Sequence, residues 1–67
     1  MNLSKQLRQY RRSHEVTEQQ LAEELGYAHA SAICRLEQKR ELKPEIFGEA
    51  MAAIDVIVKR RDLREVG

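Results

Sequence analysis

The sequence predicts a small all-α domain of four to five helices, the last of which is long and is expected to take part in dimerisation. Apolar residues recur at intervals of three and four along several stretches of the 67-residue chain, which is the period of an α-helix. A capping pattern precedes one of these stretches, and Gly26 and Pro44 separate them, as expected where helices end and begin.

Length and cysteine content limit how such a domain can be stabilised. Sixty-seven residues form one domain near the lower size limit for a core that is stable without a disulfide or a metal. The single cysteine, Cys34, excludes a disulfide within the chain. Oligomerisation is therefore the expected additional source of stability.

The first helix is expected to begin after an N-cap at Asn2 or Ser4 and to end near Ser13. Its apolar side is formed by residues spaced by four and three: Leu3, Leu7 and Tyr10. Three basic residues lie away from that side and form either a solvated charged surface or phosphate contacts: Lys5, Arg8 and Arg12. Residues 1–16 carry four cations and one acid, so positive charge is concentrated here although the whole chain has a net charge of only +1.

The second helix has the clearest start and end. Thr17 and Gln20 have the spacing of a capping box, in which each side chain pairs with the backbone amide of the other residue. Val16 and Leu21 flank this box as a hydrophobic staple. Gly26 follows the apolar residues of the helix, and glycine is the usual residue where a helix ends in the left-handed conformation.

A third short helix follows the turn, with Ile33 and Leu36 as its apolar stripe. The opposite side carries small or hydrogen-bonding residues with a single charge among them: Ser31, Cys34, Arg35 and Gln38. A solvent-facing helix usually carries several charges, so this face is suited to contact with a groove. The pattern leaves open where, after Tyr27, the helix begins.

The fourth helix is expected to begin at Pro44, whose missing amide proton costs nothing in a first turn. A wide apolar stripe follows: Ile46, Phe47, Ala50, Met51, Ala53, Ile54, Ile57 and Val58. Beyond Ile54 the chain either continues as a helix, which its strong helix formers favour, or forms a strand that pairs with a second copy. Both alternatives predict a dimer interface in a C-terminal extension of residues 55–67 that follows a domain of residues 1–54. Its residues are Ile54, Val56, Ile57, Val58 and Leu63.

Residues 17–38 resemble the helix-turn-helix of the Cro and phage-repressor family, which is lambda-repressor-like, and the resemblance extends over roughly residues 3–54. The residues that carry it are Thr17, Leu21, Ala22, Leu25, Gly26, Ile33, Arg35, Leu36 and Glu37, with Arg11 upstream and Pro44 downstream.

The chain differs from the family pattern at three places. Glu18 stands where a phosphate-contacting Gln is usual, and Lys39 replaces a Gly after the third helix. The segment from Gly26 to Ile33 is one residue longer than the commonest form.

The resemblance implies a sequence-specific DNA-binding transcriptional regulator, such as a phage or mobile-element repressor that binds a palindromic operator in double-stranded DNA as a homodimer. It implies that the third helix enters the major groove, where Arg35 can form a bidentate contact with guanine. It also implies a structural ion pair between Arg11 and Glu37. The other residues expected at DNA are Ser31, Gln38, Ala30, Ala32, His29, Thr17, Gln19, Lys39 and Arg40.

Other functions are disfavoured by the residue pattern. His14, His29 and Cys34 lack the paired spacing of metal ligands, and a short helical chain offers little material for a catalytic pocket. We therefore expect neither an enzyme nor a bound metal, cofactor or small-molecule ligand. No apolar run is long enough to span a bilayer and no signal-peptide pattern is present, so the expected location is cytoplasmic, without a membrane partner.

Two alternatives remain open. A protein-binding module, such as an antitoxin or an adaptor, would use the apolar C-terminal helix to hold a partner, and Glu18 together with the weak net charge favours it. An excisionase-like architectural protein would bend DNA with little discrimination between sequences. Salt dependence separates the first from DNA binding, because affinity for phosphates falls steeply as salt rises.

Overall fold

The computed structural model describes the backbone of residues 2–66 and the side chains of residues 2–64. Within this range the chain forms four helices and no strand: α1 (Leu3–Ser13), α2 (Glu18–Leu25), α3 (Ser31–Gln38) and α4 (Pro44–Val66). The all-α class is confirmed, and the strand alternative for the segment after Ile54 is excluded because α4 runs through it. Met1 and Gly67, which the predicted ranges 1–54 and 55–67 include, lie outside the described residues.

The start of α1 is capped by Asn2, whose side chain accepts a hydrogen bond from the amide of Lys5 at 3.3 Å. Ser4, the other predicted cap, is buried instead. Its hydroxyl donates to the backbone carbonyl of Lys39 at 2.7 Å, so it links the first turn of α1 to the residue that follows α3.

Local sequence determines both ends of α2. The Thr17 hydroxyl accepts from the amide of Gln20 at 3.0 Å, and the Gln20 side chain accepts from the amide of Thr17 at 2.9 Å, which confirms the capping box. Gly26 ends the helix with a φ of 84°. The amide of Tyr27 then donates to the carbonyl of Ala22 at 2.8 Å, so the chain leaves the helix through a Schellman-type turn.

The core lies between α4 and the pair formed by α1 and α2. α3 packs against the same two helices but does not approach α4. The loop between α3 and α4 adds Leu42, which is buried. The core is completed by residues from all four helices and from the residue preceding α2: Leu7, Val16, Leu21, Ala22, Ile33, Leu36, Ala50, Ala53, Ile54 and Ile57.

The predicted dimer interface is wrong for three of its five residues. Ile54 and Ile57 are 0% and 8% exposed, and Val58 is half-buried against the same core. The physical reason is that α4 continues without a break, so these residues lie on the inner side of the helix and cover α1 and α2. Val56 and Leu63 stay exposed, at 40% and 75%.

The C-terminal part of α4 is attached to the rest of the domain through arginines. Arg61 donates to the backbone carbonyls of His14 and Glu15 at 2.7 and 2.6 Å and to the Gln20 side chain at 3.1 Å. Arg60 forms an exposed ion pair of 2.8 Å with Glu24 of α2. The predicted boundary at residue 54 is therefore crossed by a continuous helix whose far end packs on the first part of the chain.

Candidate nucleic-acid interface

The outward side of α3 is a polar surface on a helix whose inner side is anchored in the core. Ile33 and Leu36 are buried, whereas Ser31, Arg35 and Gln38 are exposed. Arg35 forms no hydrogen bond or ion pair within the described part of the chain. Its guanidinium group, which has five N–H donors in a planar fork, is therefore available to an external acceptor.

The structure defines the start of α3, which the sequence left open. The connection from α2 consists of residues 26–30, and Ala30 occupies the N-cap without a side-chain hydrogen bond. The carbonyl of His29 accepts from the amide of Ala32 at 3.1 Å. His29 and Ser31 are exposed, while Ala30 and Ala32 are half-buried. All four residues predicted at this end of the interface thus retain accessible surface at the start of α3.

A buried bidentate ion pair holds α3 to α1. Arg11 Nε and Nη2 donate to the two carboxylate oxygens of Glu37 at 2.6 and 3.0 Å, and the two side chains are only 9% and 5% exposed. The remaining terminal nitrogen of Arg11 donates to the carbonyl of Val16 at 2.8 Å. The hydrogen bonds to Glu37 raise the pKa of Arg11, an effect that outweighs the lowering by burial. The predicted pair is confirmed, and it sets the position of α3 relative to α1.

A small cleft of about 110 Å³ lies beside α3, where it meets the end of α1 and the start of α2. Arg8 and Arg12 contribute exposed guanidinium groups to its rim, and Cys34 and Gln38 border it from α3. The amide of Gln38 donates to the Cys34 sulfur at 3.3 Å. The sequence pattern could not separate Arg8 and Arg12 from an ordinary solvated surface, because only the packing of α1 against α3 brings them here.

Glu18 lines the same cleft and is half-buried. It lies in the first turn of α2, where a negative charge interacts favourably with the helix dipole. It also helps to raise the pKa of Arg11 by Coulombic attraction. The acid that replaces the usual Gln of the resembling family therefore turns toward arginines of its own chain.

The residues predicted to contact phosphates flank this surface. Thr17 and Gln19 are exposed at the start of α2, although the Thr17 oxygen already caps the helix and the Gln19 amide donates to Glu23 at 3.1 Å. Lys39 and Arg40 are exposed after α3. The predicted site residues thus surround the outward side of α3, with an arginine-lined cleft that the prediction did not include.

Two other kinds of site were searched for. No cluster of three or more His, Cys, Asp and Glu side chains suitable for a metal ion occurs in residues 2–64. Among the helices of the described chain, none is long and apolar enough to cross a membrane. The candidate site thus consists of the outward side of α3 and its polar neighbours.

Comparison with known proteins adds no assignment to this geometry. No protein-family model matches the chain, and neither does any curated protein or solved structure. The argument for a function therefore depends on the chain's own residues and on their arrangement.

Proposed function

We propose that this chain is a sequence-specific DNA-binding transcriptional regulator of the Cro and phage-repressor type. In this role each subunit of a homodimer inserts α3 into the major groove of one half-site of a palindromic operator. A phage or mobile-element repressor that occludes a promoter fits best, because a chain of 67 residues can act by occupying DNA without a further domain. Regulation then comes through concentration, since dimerisation and DNA binding are linked by mass action.

The observation that carries the proposal is an exposed, hydrogen-bonding side of α3 on a helix that is held from behind. Arg11 and Glu37 lock α3 to α1 through two hydrogen bonds, and Ser4 holds the carbonyl of Lys39 just beyond its end. A helix restrained at this level can present Arg35 to a base edge with a reproducible geometry, which direct readout requires.

The distribution of charge supports the same orientation. The net charge of the chain is only +1, but exposed cations occur on both sides of α3: Arg8 and Arg12 from α1, and Lys39 and Arg40 from the following loop. Contacts from such residues to phosphates position a protein on the duplex without reading its sequence. The four residues supply that function here, while Arg35, Ser31 and Gln38 supply the specific contacts.

Selection of bound duplexes from a random DNA pool, at near-physiological salt, tests the proposal. We expect enrichment of a palindromic motif, and we expect Arg35→Ala to lose about 1–3 kcal/mol of specific binding and to blur one symmetric base position. Arg64→Ala is the matched control, since it removes the same exposed charge from α4, which does not approach α3. Equal weakening of specific and random DNA by Arg35→Ala would contradict the base-reading role.

A protein-binding module, such as an antitoxin or an adaptor, is the second candidate, and Glu18 is the observation that favours it. An acid at the start of α2 reduces the attraction of that helix end for a phosphate. The two candidates differ in salt dependence, because a protein that neutralises several phosphates loses affinity steeply between low and moderate salt. Absence of an enriched DNA motif, combined with salt-insensitive partner binding, would support this second candidate.

A further inference from the structure

The outer side of α4 carries a row of exposed residues that the core does not use. These residues are spaced by four, four, three and four, so they share one face of the helix, and we call them the outer stripe: Gly48, Ala52, Val56, Lys59 and Leu63. Leu63 is 75% exposed and Val56 is 40% exposed. The inner side of the same helix is buried against α1 and α2. The apolar members of the outer stripe therefore have no role in the core of the chain.

We propose that the outer stripe is the surface through which a second copy of this chain binds, with the two α4 helices antiparallel. The inference rests on the proposed function, because a palindromic operator requires a two-fold symmetric dimer, and it adds the surface and the helix orientation. α4 has 23 residues and is therefore about 34 Å long at the usual rise per residue, which gives the pair an extended contact.

Charge complementarity selects the second copy and its orientation. The exposed side of the first half of α4 carries Glu45 and Glu49, and that of the second half carries Lys59, Arg60 and Arg64. Antiparallel packing brings the acidic half of each helix against the basic half of the other. Parallel packing would bring like charges together, which is unfavourable.

One register satisfies the small, apolar and charged residues together. With Ala52 opposite Val56 of the partner subunit, Glu49 lies opposite Lys59 of the partner subunit, ten residues along in each direction. Neither Glu49 nor Lys59 takes part in an ion pair within residues 2–64 of its own chain. The same register brings Leu63 of the partner subunit within one turn of Gly48.

Gly48 provides the space that this register requires. An added Cβ at Gly48 would meet no atom within 4 Å, so the helix surface is open at that point. Small residues at Gly48 and Ala52 also let two helix backbones approach closely. The large exposed side chain of Leu63 thus has a complementary site on a second copy of the same helix.

Sedimentation equilibrium of the full chain without DNA tests the surface. We expect a monomer–dimer equilibrium and a rise of at least about tenfold in the dissociation constant for Val56→Asp, because each dimer would bury two unpaired carboxylates. Tyr27→Asp is the matched control, since Tyr27 is also 40% exposed but lies in the connection between α2 and α3. A circular dichroism melt of each variant establishes that it is folded. A parent chain that stays monomeric at all concentrations, or a Val56→Asp dimer of unchanged affinity, overturns the inference.

A charge exchange tests the antiparallel register. Glu49→Lys and Lys59→Glu should each weaken the dimer by about tenfold or more, because each creates two like-charge contacts. The double variant should regain the parent affinity, since the two ion pairs re-form with exchanged signs. Failure of the double variant to regain affinity overturns this register.

The outcome is independent of the test of DNA binding. A monomeric chain that still enriches a DNA motif would overturn the outer stripe as a dimer surface and leave the proposed function in place. A dimer that enriches no motif would have the opposite meaning.

Discussion

The hydroxyl of Tyr10 on α1 donates a hydrogen bond of 2.6 Å to the Oδ1 atom of Asp55 on α4. This bond, together with partial desolvation and the negative charge of Asp55, raises the pKa of Tyr10 above its ordinary value of 10.0. It connects the middle of α4 to α1 on the side of the domain where Tyr10 also stacks near His14, with ring centroids 4.3 Å apart.

Alkaline pH should weaken the domain through Tyr10. A tyrosine whose pKa is higher in the folded than in the unfolded state stabilises the fold below the unfolded pKa, and this contribution is lost as pH rises through the folded pKa. The free energy of unfolding of the parent should therefore fall above about pH 10. Tyr10→Phe should show a smaller fall over the same range in urea titrations. Parallel profiles for the two proteins would mean that the bond to Asp55 contributes no pH dependence.

Removal of Glu37 should cost far more than removal of another carboxylate in an ion pair. Glu37→Gln leaves the Arg11 charge buried without its partner, and we expect a loss on the order of 3 kcal/mol in the free energy of unfolding. Glu24→Gln is the control, because its pair with Arg60 is 22% and 60% exposed and should contribute about 1 kcal/mol or less. An unchanged urea midpoint for Glu37→Gln would show that the buried pair makes no net contribution.

Replacement of Gly26 should strain the turn between α2 and α3. The backbone there has a φ of 84°, so Gly26→Ala should lose about 1 kcal/mol of stability. The added Cβ would meet no atom within 4 Å, which assigns the loss to backbone conformation alone. Gly26→Asn should lose less, because asparagine tolerates this conformation better than alanine. Equal losses for the two variants in thermal melts would argue for a different cause.

Arg61 should act through the shape of its side chain as well as through its charge. Arg61→Ala removes three hydrogen bonds to the connection between α1 and α2, and we expect a loss of about 1–2 kcal/mol. Arg61→Lys keeps the charge but cannot reproduce the planar fork, so it should recover only part of this loss. Arg64→Ala, which removes an exposed arginine one turn further along, should change the urea midpoint little. Full recovery by lysine would point to charge alone.

The sequence predicted the features that depend on neighbouring residues. The capping box of Thr17 and Gln20, the helix end at Gly26 and the helix start at Pro44 are confirmed, because each is determined within one or two turns of chain. The ion pair of Arg11 and Glu37 is also confirmed, although only the family resemblance, and not the local pattern, pointed to it.

The features that depend on how the helices pack were not predictable in the same way. The wide apolar stripe of α4 gave no indication of which residues would cover α1 and α2, so Ile54 and Ile57 were assigned to a dimer when they belong to the core. The outward side of α3 was predicted from its helical spacing. The neighbouring cleft of Arg8, Arg12 and Glu18 was missed, because three separate helices form it.

The connection between α1 and α2 bears on the order in which the chain folds. Its three successive carbonyls, from His14, Glu15 and Val16, accept hydrogen bonds from Arg61 or Arg11, and Glu15 has a positive φ of 55°. Such a conformation is costly for a residue other than glycine, and two of its three restraints come from a helix more than forty residues away. The local sequence alone therefore has little reason to hold this turn. We expect it to become ordered only when α4 docks, late on the folding pathway, while the capping box of α2 can form early.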